Sequence, residues 1–205
     1  MSFVVHIVDD EVSVRKSLAF MLTSAGYTVR VFESARDFLA GAGGISGGCL
    51  VTDLRMPDMN GVELLLALRK TGSVLPAIVI TGHADVPMAV QAMKAGALDF
   101  IEKPFEEEIL LRALERAAGN LDSKPVSGDA IPAIRAHLAT LTERERQVLT
   151  RVVAGQPNKT IAYDLQISPR TVEVYRANVM AKMQARSLPE LVRMALMVDF
   201  GAASF

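Results

Sequence analysis

The chain has one cysteine and no tryptophan among its 205 residues. A lone thiol, Cys49, cannot close an internal disulfide, and there is no cysteine cluster to hold a metal, so a buried structural thiol in a reducing cytoplasm is expected. No run of 18 apolar residues occurs, which excludes a membrane-spanning helix. Met1 leads directly into VVHIVDDE without a basic start or a cleavage site, so a cytoplasmic protein without a secretory signal is expected. Aromatic residues make up only 5%, few for a surface that stacks on unpaired bases. A strong charge of one sign is missing as well, the net being −1. That sum conceals an asymmetry. Residues 1 to 137 carry 13 basic and 17 acidic side chains, whereas 138 to 205 carry 9 and 6, so the last third leans toward a polyanionic partner.

What is present is apolar and patterned. Half the residues are hydrophobic, and the length suits two modest domains. Up to about residue 119, short Val- and Ile-rich runs at 4 to 8, 27 to 32, 49 to 53, 77 to 81 and 99 to 103 read as strands. Helical stretches fall between and after them, about 12 to 25, 35 to 42, 60 to 71, 86 to 95 and 105 to 118, several stopped by glycine. This alternation predicts a flavodoxin-like, five-stranded parallel sheet wrapped on both faces, an α/β domain over 1–119. Residues 120–137 read as a linker, in which Ala133 to Ala139 can add a helical turn or two. Residues 138–205 then hold four helical segments and no strand, an all-α second domain with a helix, short turn and helix at its centre.

In open parallel sheets, ligands sit beyond the carboxyl ends of the strands. Those ends carry Asp9 and Asp10, Asp53, Thr81 and Lys103. Each has an ordinary reading alone: a turn former for Asp53, an N-cap for Asp10, a surface amine for Lys103, a turn or cap for Thr81. Together they suggest chemistry. Three converging carboxylates would repel unless a cation sat among them, and Mg²⁺ suits oxygen ligands of this kind. Lys103 and Thr81 beside that ion would complete a pocket for a phosphoryl group, with Asp53 as the attacking carboxylate and Asp9 and Asp10 as metal ligands.

The VDDE, TDLRMPDMNG, TGH and EKPF segments, spread over residues 3 to about 119, resemble the receiver domain of bacterial two-component response regulators. The resemblance implies that Asp53 accepts a phosphoryl group from a sensor histidine kinase, here a FixL-like one. It also implies that the Arg55 main-chain carbonyl joins the Mg²⁺ shell, that Lys103 precedes a cis Pro104, and that Thr81 and Phe100 shift together on phosphorylation. Phe100 as ordinary core is the competing reading. His83 is a further loop histidine near Thr81.

The stretch LTERERQVLTRVVAGQPNKTIAYDLQISPRTVEVYRANVMAKM resembles the LuxR-type helix-turn-helix, and with the first domain the whole is similar to response regulators of the FixJ type. Tyr175 departs from that pattern, which usually has histidine there. Ser168 and Pro169 open the third helical segment well. At about 100° per residue, Val172, Tyr175, Val179 and Met183 share one stripe and Arg170, Val174, Ala177, Asn178 and Ala181 another. The first stripe is expected in the core. The second has the small residues a helix needs in a major groove, with Arg170 and Asn178 able to hydrogen-bond and Val174 able to meet a thymine methyl. Lys159 and Thr160 are expected on phosphate, and Thr171 and Lys182 complete the expected DNA-binding set.

The expected function is that of a phosphorylation-activated transcriptional regulator, not an enzyme, which binds promoter DNA and RNA polymerase and forms a homodimer when phosphorylated. Val90 and Lys94 are the expected dimer-face residues. Nitrogen-fixation or low-oxygen genes are what the resemblance suggests as targets. Two alternatives stand beside it. A metal-dependent phosphohydrolase would use the same aspartyl-phosphate, but haloacid dehalogenase-like enzymes place a second carboxylate where this chain has Arg55. A phosphorylation-switched adaptor for protein or RNA would show little preference for duplex DNA.

Overall fold

The structure is a computed structural model that describes residues 3–45, 47–82, 85–122 and 130–200. The order of elements is β1 (Val4–Val8), α1 (Val12–Ser24), β2 (Thr28–Phe32), α2 (Ala35–Gly41), a short 3₁₀ turn (Ala42–Gly44), β3 (Cys49–Asp53), α3 (Gly61–Lys70), β4 (Ala77–Thr81), α4 (Val86–Ala95), β5 (Asp99–Glu102), α5 (Glu107–Asp122) and then α6 (Ala130–Ala139), α7 (Glu143–Val153), α8 (Asn158–Leu165), α9 (Pro169–Met183) and α10 (Leu188–Met197). His83 lies outside the described residues, as does the middle of the 120–137 segment.

The chain divides into two compact units, Met1–His83 with Ala95–Lys124, and Ala84–Lys94 with Pro125–Phe205. In the first, all strands are parallel and run in the order β2-β1-β3-β4-β5. Parallel strands covered on both faces need apolar residues at consecutive positions, which is why CLVTD and AIVIT are buried almost throughout. Val5, Ile7, Val51, Ile78 and Ile80 pack with Leu18 and Leu22 of α1 and Leu110 and Leu114 of α5. Local signals set the helix starts: Ser34 Oγ accepts from the Asp37 amide ahead of α2, and Asn60 and Glu63 form a reciprocal capping box ahead of α3.

The second unit is all helical. One core joins Ile134 and Leu138 of α6 to Leu149, Val153, Val179, Met183 and Leu191. A second gathers Val148, Val152, Ile161, Leu165 and Val172, with Tyr175 and with Val86 of α4 packed against it. Two features depart from the sequence reading. Helix α6 is three turns, not one or two, because Ile134 and Leu138 are buried and so repay ordering it. Helix α4, which follows the sheet pattern in sequence, groups with the helical unit, where a Cβ on Gly155 would lie 3.7 Å from both Pro87 and Val90.

Candidate functional site

The register between β1 and β3 pairs Val8 with Thr52, so the next residues along, Asp9 and Asp53, stand side by side at the carboxyl edge of the sheet. Lys103 follows β5 and reaches both: its Nζ lies 2.9 Å from Asp53 Oδ1 and 3.0 Å from Asp9 Oδ2. The remaining oxygens are held by the backbone. Asp53 Oδ2 accepts from the Arg55 amide at 2.6 Å, and Asp9 Oδ1 accepts from the Glu11 amide at 2.9 Å. Asp53 is therefore both the turn former that its sequence context suggests and a member of a charged cluster. Arg15 donates to the Asp9 carbonyl at 2.6 Å, and the Lys103 amide donates to the Thr81 carbonyl at 2.8 Å, which ties β5 to β4 at the site. The Lys103–Pro104 peptide is cis.

The loop after Asp53 is pressed tightly onto it. A Cβ on Gly61 would lie 2.5 Å from the Asp53 carbonyl oxygen, so the first residue of α3 has no room for a side chain. Pro57, Asn60 and Gly61 thus turn the chain back onto the end of β3: the Gly61 amide donates to the Leu54 carbonyl at 2.9 Å. The sequence carries no local sign of this close approach beyond the glycine itself.

Electrostatics follow from the geometry. Burial pushes the Asp53 carboxyl upward, opposed by the Lys103 hydrogen bond and charge, and the neighbouring Asp9 adds to the rise. Burial also works against the Lys103 ammonium, but its hydrogen bonds to Asp53 and Asp9 outweigh that, so its pKa rises too. The two upward shifts are compatible because one ammonium serves two carboxylates: Lys103 gains two partners while Asp53 shares one.

Asp10 does not join them. It is exposed, and Glu11 occupies the N-cap of α1, so the expected cluster of three carboxylates is in this structure a pair bridged by Lys103. Among the described residues no group of three or more His, Cys, Asp or Glu side chains converges to hold a metal ion. A cation here would lean on Asp9, Asp53, a main-chain oxygen such as that of Arg55, and water. That donor set suits Mg²⁺, which dehydrates reluctantly and takes one or two carboxylates. Thr81 at the end of β4 is 1% exposed and Phe100 is buried in β5. The pairings Val79 with Phe100 and Thr81 with Glu102 put Thr81 and Phe100 on the same face of neighbouring strands.

In the second unit, α9 sorts as its periodicity predicts. Val172, Val179 and Met183 are buried and Tyr175 is half-buried, while Arg170, Val174, Ala177, Asn178 and Ala181 are exposed. Ser168 Oγ accepts from the Thr171 amide at 3.0 Å and lies 2.8 Å from the Thr171 hydroxyl, so Thr171 serves the helix start. Lys159 and Thr160 are exposed in the first turn of α8. Lys182 departs from expectation. Its ammonium lies 2.6 Å from Glu145 Oε2 and 3.3 Å from the Thr140 carbonyl, held within the unit and not presented with the exposed stripe. Glu145 is buried, and the bond from Lys182 is the main reason its carboxyl is held below the usual range. The Thr142 and Glu145 spacing announces a capping box, but nothing local in sequence announces a partner 37 residues away. Of the two expected dimer-face residues on α4, Lys94 is exposed and Val90 is 1% exposed, covered in this structure because it lies on the inward side of an apolar helix.

Residues 5–115 match the family of response regulator receiver domains, and residues 139–195 match the bacterial regulatory proteins of the luxR family. The transcriptional regulatory protein FixJ of Rhizobium meliloti (strain 1021) is 64% identical over 199 residues, spanning 97% of this chain and 98% of that one. FixJ of Bradyrhizobium diazoefficiens is 48% identical over 192 residues, 94% of each chain. Full-length FixJ from B. japonicum superposes with a TM-score of 0.58 at 46% identity, over 97% of this chain and 98% of that one. The FixJ-N crystal structure gives 0.56 at 61% identity, over 58% of this chain and 95% of that one.

Proposed function

The chain belongs to the two-component response regulators of the FixJ type, which are DNA-binding transcriptional regulators, and from that membership we propose that phosphorylation of Asp53 governs its hold on promoter DNA. The observation that carries the proposal is the Lys103 ammonium seated between Asp9 and Asp53. It holds Asp53 beside Asp9 with a cation at hand, and either Asp53 oxygen must give up its hydrogen bond, to Lys103 or to the Arg55 amide, as it attacks.

In the proposed reaction a carboxylate oxygen of Asp53 attacks the phosphorus of a phosphohistidine on the sensor kinase. The new bond is P–O, the bond broken is P–N, and the leaving imidazole takes up a proton from water. Asp9 and Asp53 with the Arg55 carbonyl would hold Mg²⁺, which supplies charge neutralisation on the transferring phosphoryl. Asp10, exposed beside Asp9, would complete such a shell from the solvent side. Lys103, already in place, pairs with the phosphoryl oxygens that replace the carboxylate charge. Because Thr81 and Phe100 share a sheet face, a phosphoryl oxygen that draws the Thr81 hydroxyl inward vacates space for the Phe100 ring, and a local charge becomes a surface change.

Lys159 and Thr160 then hold phosphate, while Arg170, Val174 and Asn178 meet base edges in the major groove, with Thr171 steadying the helix start. Pairing of two phosphorylated chains aligns two such helices on half-sites, where RNA polymerase can engage. Nitrogen-fixation or low-oxygen genes are the proposed targets, by analogy with the relatives' name. Footprinting on duplex DNA with acetyl phosphate and magnesium tests the whole proposal. The wild type should protect sites that Asp53→Asn leaves open; equal protection by both would overturn phosphorylation control.

A further inference from the structure

We propose that Lys182 is a positioning residue of the recognition helix: seated on the buried Glu145 carboxylate, it sets the roll at which α9 offers Arg170, Val174 and Asn178 to a duplex, and it does not grip phosphate itself. This rests on the DNA-binding reading above and deepens it.

Glu145 is 4% exposed, and one of its oxygens, Oε2, accepts from three donors: Lys182 Nζ at 2.6 Å, the Thr142 amide at 2.7 Å and the Thr142 hydroxyl at 2.9 Å. A carboxylate buried this far needs a cation, because removing one partner of a buried pair leaves an uncompensated charge at high cost. Lys182 spends a second donor on the Thr140 carbonyl at 3.3 Å. An ammonium so engaged has two of its three donors turned inward, so swinging out to grip a phosphate would weaken its hold on Glu145. The same cluster includes the start of α7 through the capping box, so it joins the last turn of α9 to the first turn of α7.

Six residues earlier, and about 120° round the helix, a second long cation of α9 behaves alike. Arg176 Nη1 donates to Asn158 Oδ1 at 2.8 Å and ties the middle of α9 to the first residue of α8. One tie runs to α7 and the other to α8 from positions about 120° apart around α9, so turning the helix about its axis would stretch one or the other. Arg170 and Lys159, by contrast, are exposed.

The test uses the full chain with acetyl phosphate and magnesium. One probe is a duplex recovered by wild-type selection from random-sequence DNA, and the other is an unselected duplex of equal length, each titrated over a range of sodium chloride. For Lys182→Met, affinity for the selected duplex should fall by about tenfold, the scale of one lost base contact, while the unselected duplex is held as before. The slope of log affinity against log salt should not change. A phosphate-gripping lysine would instead weaken both duplexes together and reduce the slope by about 0.9, which would overturn the proposal.

Glu145→Gln cannot touch DNA, yet it should lose the same discrimination, and the double variant should be no worse than either single one. Lys182→Arg should restore most of it. Normal discrimination by Glu145→Gln would overturn the proposal, and this variant carries the test if Lys182→Met does not fold. If the wild type enriches no sequence at all, the DNA-binding reading fails and the positioning role falls with it.

Discussion

Gly61 shows how one missing side chain shapes the proposed phosphoacceptor site. A methyl there would stand 2.5 Å from the Asp53 carbonyl, so Gly61→Ala must displace the strand end or the start of α3. Overpacking of this kind costs about 1–3 kcal/mol. The variant should also gain phosphoryl mass from acetyl phosphate several-fold more slowly than wild type, as intact-mass spectrometry can follow. His6 is a second residue with consequences. It is 2% exposed in β1, with its ring centroid 5.8 Å from that of Phe38 and 6.2 Å from that of Phe32. Burial lowers its pKa from 6.5; the Gly47 peptide opposes this in part, and the charge of Arg30 adds to it. The folded chain therefore keeps His6 neutral where the unfolded chain takes a proton. The associated stability is complete above about pH 6.5 and declines as pH falls below that toward the folded-state value. Urea midpoints should drop between pH 8 and 5.5, and His6→Leu should flatten that part of the profile.

At the scale of elements, the start of α9 is the place where a small change should be felt in DNA binding. Ser168→Ala removes the acceptor for the Thr171 amide and should cost about 1 kcal/mol of stability, read as a lower thermal midpoint of the full chain. Binding to the selected duplex should weaken with it, since Arg170 sits in the first turn. Elements were also the most legible level of the sequence. Strand runs such as AIVIT and stops such as Gly26 carry local signals, and the parallel sheet follows from their alternation. The two stripes of α9 were legible for the same reason, because helical period alone separates Val172 and Val179 from Val174 and Asn178. What local pattern could not carry was pairing over distance. Whether Asp10 turns in beside Asp9 or out to solvent depends on how the chain enters α1, and whether Lys182 faces DNA or Glu145 depends on where α7 lies.

For the whole molecule, the proposed switch is a change in association. Sedimentation velocity with acetyl phosphate and magnesium should convert wild-type monomer into dimer and leave Asp53→Asn unchanged. Two linked recognition helices can gain about 10²–10⁴ in avidity over one, which a modest basic surplus would not supply. Because Val90 is covered while Lys94 is exposed, Lys94→Glu should lower the dimer fraction if α4 takes part in pairing.

The sheet order leaves β2 at one end, its outer row of amides and carbonyls unmatched by another strand among the described residues. The strand reads TVRVF, with Val31 half exposed, and Arg30 is its one charged residue. A fixed positive charge in mid-strand discourages a stray chain from adding itself there, so the colloidal behaviour of the protein in a crowded cell hangs in part on one guanidinium.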